Sequence, residues 1–280
     1  MKPSLASAPT VITCHSNADW DALSSMIGMS MIYPDSIMIF PGSMEKPLNQ
    51  FFNETAVFLY TFKNLEIDHA SVKRVVVVDT QIRSRVPQVQ ELLDLPGVEV
   101  EVWDHHPTPT PYSGEKSKVI NADVTHIGTT GSTCTLICQA LQERGITPAC
   151  QEATFLGLGI YGDTGAFTYT STKPEDFLAG AWLRQHGMDL PFIADLVQTG
   201  MTSVHIKVLN ELLDSATAHE IGPYSAVLAE ATLDSFMGDF AYLAQKFMEM
   251  ESCNVLFALA NMEEKVQVVA RSRVDAVDVG

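Results

Sequence analysis

The chain has 280 residues, 46% hydrophobic and 18% charged, which is enough to bury a core and too apolar for a globally disordered protein. Its 17 Lys and Arg against 34 Asp and Glu give a formal charge of −17, which excludes gripping long duplex nucleic acid by charge alone and leaves open a short phosphate ligand held through metal ions. There is no apolar run of roughly 18 residues, no secretion-type segment after Lys2, and no CxxC among Cys14, Cys134, Cys138, Cys150 and Cys253; the thiols read as buried or semi-buried and reduced, in a cytoplasmic protein.

Val11–Cys14 is an apolar run that predicts a buried strand, and Trp20–Tyr33 carries Leu23, Ile27 and Met31 at helical spacing. Further strands are predicted at Ser36–Phe40, Val57–Tyr60, Val75–Val78 and Val98–Trp103, with helices at Val86–Leu93, Ser132–Arg144 (closed by Gly145) and Gln151–Asp163. Strands separated by helices predict an α/β fold, a parallel sheet covered by helices on both faces, with ligands beyond the carboxyl ends of its strands.

From Gly187 the pattern changes. Met188 to about Ala218 reads as a helical connector, and Gly222-Pro223 as a fresh start. Tyr224–Ala229 predicts a strand, Phe236, Phe240, Leu243 and Phe247 form a helical core stripe, and Asn254–Leu259 with Val266–Ala270 predict a hairpin. The organisation expected is therefore a domain over 1–186, a helical linker over 187–220, and a smaller, partial α/β domain over 221–280.

Four clusters carry ligand-type residues. His15, Asp19 and Asp21 sit on a loop between a strand and a helix, where one imidazole and two carboxylates can converge on a cation; a polar turn with Asp19 or Asp21 capping the helix describes the same residues. Asp79 ends the run Val75–Val78, a place where solvated carboxylates also occur. Asp104-His105-His106 follows a third strand, and a turn before Pro107 must split the two imidazoles between different tasks. Asp163 leaves a glycine-rich helix end, Gly157 to Gly162, which as an ordinary C-terminal turn would have the same composition. Separately, residues 128–133 (GTTGST) open a helix whose Thr130 and Ser132 offer hydroxyls to an anion or simply cap it, and Arg271 and Arg273 make a basic pair that is either a phosphate clamp or a solvated edge.

HSNADWDALSS, VVVVDT, DHH and GIYGDTGAF, in this order and spacing, resemble motifs I to IV of the DHH phosphoesterase superfamily, over roughly residues 10 to 185. That superfamily includes RecJ-like exonucleases, nanoRNases, cyclic-dinucleotide phosphodiesterases and family II inorganic pyrophosphatases. The first motif and its surroundings (IYPD, FPGSMEK) are similar to the DHH module that precedes CBS repeats and a tRNA nucleotidyltransferase (poly(A) polymerase-like) domain in some bacterial fusion proteins. The region from about 220 resembles the start of a DHHA1 domain, and ARSRVDAVDVG matches the stretch before a glycine-rich GGGH segment, so further domains are expected beyond Gly280.

The resemblance implies two metal ions, Mn²⁺ first and Mg²⁺ as the alternative. One is held by His15, Asp19 and Asp79, and the other by Asp21, Asp79, His105 and Asp163, with Asp79 between them. His106 would contact the scissile phosphate and Asp104 would orient a histidine. The activity implied is hydrolysis of short RNA or DNA oligonucleotides or of a cyclic dinucleotide, as in RNA-processing exonucleases. Pyrophosphate or polyphosphate hydrolysis, and a non-hydrolytic RNA-end-binding module of a nucleotidyltransferase, are the competing readings.

Overall fold

The computed structural model describes residues 6–45, 48–49, 51, 61–62, 67–108, 119–197, 201–234, 237, 240–262, 265–274, 277 and 279. The strand predicted at Val57–Tyr60, and Phe236 of the aromatic stripe, lie outside the described residues. The chain divides into two compact units, Met1–Thr199 and Gly200–Gly280.

The first unit is built on a six-stranded sheet of β1 (Thr10–Cys14), β2 (Ser36–Ile39), β3 (Thr61–Phe62), β4 (Arg74–Val78), β5 (Glu99–Asp104) and β6 (Val124–Ile127), in the order β3-β2-β1-β4-β5-β6. Every pairing is parallel. Alternation along the strands divides the core in two. Ile12, Cys14, Val76, Val78 and Trp103 face α1 (Trp20–Ile32), while Val11, Val75, Val77, Val100 and Val102 face the opposite layer, where Val86, Val89 and Leu92 of two 3₁₀ turns and α2 (Gln90–Leu93) pack. Burial on both faces is why these strands read as continuous valine and isoleucine runs. On the α1 side lie α3 (Thr133–Glu143), α4 (Cys150–Asp163), α5 (Pro174–Gln185) and α6 (Leu190–Val197).

The second unit holds α7 (Ser203–Ser215), β7 (Thr217–Ile221), β8 (Tyr224–Thr232), α8 (Phe240–Met250), β9 (Val255–Asn261) and β10 (Val266–Ser272), with strand order β10-β9-β8-β7. β8 and β9 are parallel across α8, and the outer pairs are antiparallel. Phe240, Leu243 and Phe247 are fully buried in a core shared with Val208, Leu209 and Leu212 of α7.

Several sequence expectations are corrected. The stretch 187–220 is not one linker: α6 belongs to the first unit and α7 to the core of the second. Gly222-Pro223 is a hairpin turn between β7 and β8, with Gly222 at φ +62°, rather than a fresh start. β6 and α5 were not foreseen. Cys150 is exposed at the head of α4, whereas the other four thiols are buried. Arg271 and Arg273 do not form a strand-face pair: Arg271 is exposed on β10, but Arg273 lies past its end and its guanidinium donates to the Met248 carbonyl in the last turn of α8. Among the described residues no helix is long and apolar enough to cross a membrane.

Candidate metal centre

The strand order reverses direction between β1 and β4, and this switch point opens a crevice at their carboxyl ends. Cys14 pairs with Val78, so His15 and Asp79 are the first residues past two adjacent strands, and both are buried. Asp79 adopts φ +60°, uncommon for a residue with a side chain, and its N–H is held by the Trp103 carbonyl at 2.8 Å.

The Asp79 carboxylate has two faces. Oδ2 lies 3.1 Å from His15 Nε2, which is itself 3.7 Å from Asp19 Oδ2. Oδ1 accepts from the Thr133 hydroxyl at 2.9 Å and lies 3.7 Å from His105 Nε2. His15 Nδ1 is 2.9 Å from the Ser16 carbonyl, which fixes the tautomer that leaves Nε2 a free lone pair. Asp19 serves both readings the sequence allowed: Oδ1 caps α1 by accepting from Ala22 N at 2.9 Å, and Oδ2 turns to the centre.

His105 and His106 separate as the triplet required. His105 Nδ1 is 3.2 Å from the Thr130 carbonyl, and its Nε2 points inward, 3.1 Å from Asp163 Oδ2 at the end of α4. That nitrogen is buried yet makes no aligned hydrogen bond. His106 turns outward, with 47% of its side chain exposed, and its Nδ1 is 2.7 Å from Asp104 Oδ1. Asp104 is therefore the orienting partner of His106, and Gln81 Nε2 locks the arrangement by donating to Asp104 Oδ2 at 3.0 Å and to the His106 carbonyl at 2.9 Å. Burial works against the Asp104 charge, but the bonds from His106 and Gln81 hold its carboxyl below the usual range.

Asp21 is wholly buried on the first turn of α1 and accepts from the Thr133 and Cys134 amides at 2.7 and 2.9 Å. The amino end of α3 thus binds an anion, as GTTGST suggested, but the anion is the chain's own carboxylate. Ser132 is the buried N-cap of α3, accepting from Thr135 N at 3.2 Å, and the Thr130 hydroxyl donates to the Ser132 carbonyl at 2.8 Å. Both hydroxyls thus already serve bonds within the chain.

Three triads have ligand atoms within 4.8 Å of one another: His15–Asp19–Asp79, Asp21–His105–Asp163 and Asp79–His105–His106. Such crowding is costly without a cation. Burial first, then the charge of Asp163, pushes Asp21 up to about 7. Burial and the charges of Asp21, Asp19 and Asp163 raise Asp79 well above the carboxylate range. His105 moves the other way from what burial dictates: the carboxylates of Asp163, Asp21 and Asp79 outweigh desolvation and lift it to about 10. An inward imidazole nitrogen lacking an aligned partner, amid four carboxylates, fits a divalent cation with oxygen and imidazole ligands.

Sequence reasoning missed Gln81, Thr133 and Asp176. Asp176, buried on α5, accepts from Gly131 N (2.9 Å), the Thr135 hydroxyl (2.6 Å) and Lys173 N (2.7 Å), tying residues 130–135 to the start of α5. Its one visible signal is the Pro174-Glu175-Asp176 helix start.

Residues 9–160, more than half of the chain, match the model of the DHH family, N-terminal domain. The chain belongs to the DHH family. It is 39% identical over 271 residues, 96% of its length, to a Geobacter sulfurreducens protein named A-adding tRNA nucleotidyltransferase, and spans 30% of that protein. It is 27% identical over 187 residues, 66% of its length, to 54% of a Streptococcus mutans protein named probable bifunctional oligoribonuclease and PAP phosphatase NrnA. A crystal structure of an exopolyphosphatase-related protein from Bacteroides fragilis superposes with a TM-score of 0.71 at 19% identity, covering 94% of this chain and 78% of that one, which gives the fold. In this DHH-family chain the Asp-His-His triplet that names the family is the segment carrying His105 inward and His106 outward.

Proposed function

We propose that the first unit is a two-metal phosphodiesterase acting on short oligonucleotides or cyclic dinucleotides. The observation that carries this reading is the two-faced Asp79, whose oxygens look towards separate groups of imidazole and carboxylate ligands. His15, Asp19 and Asp79 would hold one cation, and Asp21, Asp79, His105 and Asp163 the other. The donor set has no thiolate, and its carboxylates and imidazoles suit Mn²⁺, with Mg²⁺ next. A pair of such ions supplies the charge that activates water and steadies an in-line displacement at phosphorus.

The chain's own groups do the positioning. His106, fixed through Nδ1 by Asp104, presents its other ring edge to solvent at the rim, where it would contact the scissile phosphate and steady developing charge. Thr133 holds Asp79 Oδ1 from behind, and the Ser16 and Thr130 carbonyls set the tautomers of His15 and His105. Similarity to a protein named as an oligoribonuclease supports hydrolysis. Similarity over 96% of the chain to a protein named as a tRNA nucleotidyltransferase supports a second reading, in which the same fold is an RNA-end-handling module of a larger polypeptide.

A hydrolysis panel with Mn²⁺ over pyrophosphate, dinucleotides, cyclic dinucleotides and short oligomers separates these. The proposal expects mononucleotide release, lost in Asp79→Ala and His105→Ala. Turnover indifferent to both substitutions, or confined to pyrophosphate, overturns it.

A further inference from the structure

Beside the metal centre, and wholly within the first unit, lies a cavity of about 550 Å³ lined by His105 to Thr108, Ile127 to Thr130, Ser171 and Lys173. Its size falls in the roughly 300–1,000 Å³ range of small-molecule pockets. Its chemistry differs from that of the centre. In a chain with 34 acidic residues, the described residues of this lining include no carboxylate, and Lys173 is the one Lys or Arg among them. Among the described residues no carboxylate pairs with that ammonium, and the side chain is half-buried. Pro107 and Ile127, the latter 39% exposed, supply apolar wall.

The wall is also held in place. Asp176 accepts from Lys173 N and from Gly131 N, so one buried carboxylate clasps the residue bearing the cation to the loop that forms the floor. His105 and His106 form the side shared with the metal centre, so a substrate whose scissile phosphate lies at His106 extends its neighbouring unit into this space.

We propose that this cavity is a nucleotide subsite in which Lys173 binds a second phosphate of the substrate, one carried by the nucleotide unit next to the scissile bond, while the base lies against Ile127 and Pro107. This rests on the phosphodiesterase reading and sharpens it: Lys173 is a specificity-determining residue that favours dinucleotides with a terminal phosphate over those without. A compact ammonium with no carboxylate partner among the described residues suits a phosphate, and a charge-assisted hydrogen bond of this kind corresponds to about a tenfold effect on binding.

The test uses the full chain with Mn²⁺ and two substrates, diadenylate with and without a 5′-phosphate, comparing wild type with Lys173→Met and Lys173→Arg. Lys173→Met is expected to raise KM about tenfold for the phosphorylated substrate alone, with kcat for the unphosphorylated one unchanged and Lys173→Arg restoring most of the loss. An equal change for both substrates, or none, overturns the subsite. A separate titration of the metal-free protein with adenosine 5′-monophosphate and with adenosine keeps the two claims apart. If wild type hydrolyses neither dinucleotide, the phosphodiesterase reading fails, and the subsite stands or falls on whether Lys173→Met weakens binding of the monophosphate but not of adenosine.

Discussion

Asp176 contributes no ligand atom, yet the loop it ties through Gly131 N and the Thr135 hydroxyl carries Thr130, whose carbonyl orients His105. Removing a buried carboxylate that serves three donors deprives the Gly131 and Lys173 amides of that acceptor and leaves the Thr135 hydroxyl with Ser132 Oγ alone. Asp176→Ala is therefore expected to lose about 2–4 kcal/mol of stability in denaturant unfolding and to weaken Mn²⁺ affinity about tenfold, although it sits outside the cluster. Unchanged Mn²⁺ affinity in a folded variant would show that the loop does not position His105. Histidines and aspartates at strand ends could be picked out in the sequence through the order and spacing of four motifs, since a strand-end carboxylate alone is also an ordinary solvated residue. Gln81, Thr133 and Asp176 could not: their residue types are ordinary, and the contacts that give them their roles, Gln81 to Asp104, Asp176 to Gly131 and Thr133 to Asp79, span 23, 45 and 54 residues of chain, distances only the fold can close.

At the level of elements, α1, α3 and α4 meet around Asp21. A Cβ on Gly159 of α4 would stand 2.5 Å from Cys134 Sγ on α3 and 3.1 Å from Asp21 Oδ1 on α1, so glycine is what permits the three helices to close on that carboxylate. Gly159→Ala should cost about 1–3 kcal/mol through overpacking and lower Mn²⁺ affinity by displacing Asp21. Calorimetric titration beside thermal unfolding checks this, and full stability with full affinity would count against it. The buried strands and amphipathic helices were readable from apolar runs and helical spacing. β6 was not, because Val124–Ile127 is a short edge strand with alternate residues exposed, recognisable only by its pairing with β5. β7 is exposed along its whole length and exists by pairing with β8 across the Gly222 turn, so the sequence there resembles the tail of a helix as much as a strand.

For the whole molecule, the crowded carboxylates and His105 make stability depend on pH in a definite direction. Asp21, raised to about 7, and Asp79, raised well above the ordinary carboxylate range, bind protons more tightly in the metal-free fold than in the unfolded chain, so stability falls as pH rises from the ordinary carboxylate range towards 7. His105, raised to about 10, contributes stability that is complete below its unfolded value of 6.5 and is lost as pH climbs through 10. All three groups therefore weaken the metal-free protein with increasing pH. A divalent cation competes for the same atoms, so the rise in Tm on adding Mn²⁺ should grow from pH 5.5 to pH 8, and a shift that is flat or shrinks over that interval would contradict the electrostatic account. The −17 charge was a whole-chain hint of such a centre, but charge does not say where carboxylates gather. That came from the reversal of strand order between β1 and β4, which composition does not reveal.

The most direct measurement is anomalous scattering at the manganese edge from crystals of the full chain grown with Mn²⁺. Two peaks are predicted on opposite sides of the Asp79 carboxylate, one against His15 and Asp19 and the other against Asp21, His105 and Asp163, with both lost in Asp79→Ala. Peaks placed elsewhere, or no ordered manganese at these residues, would contradict the account.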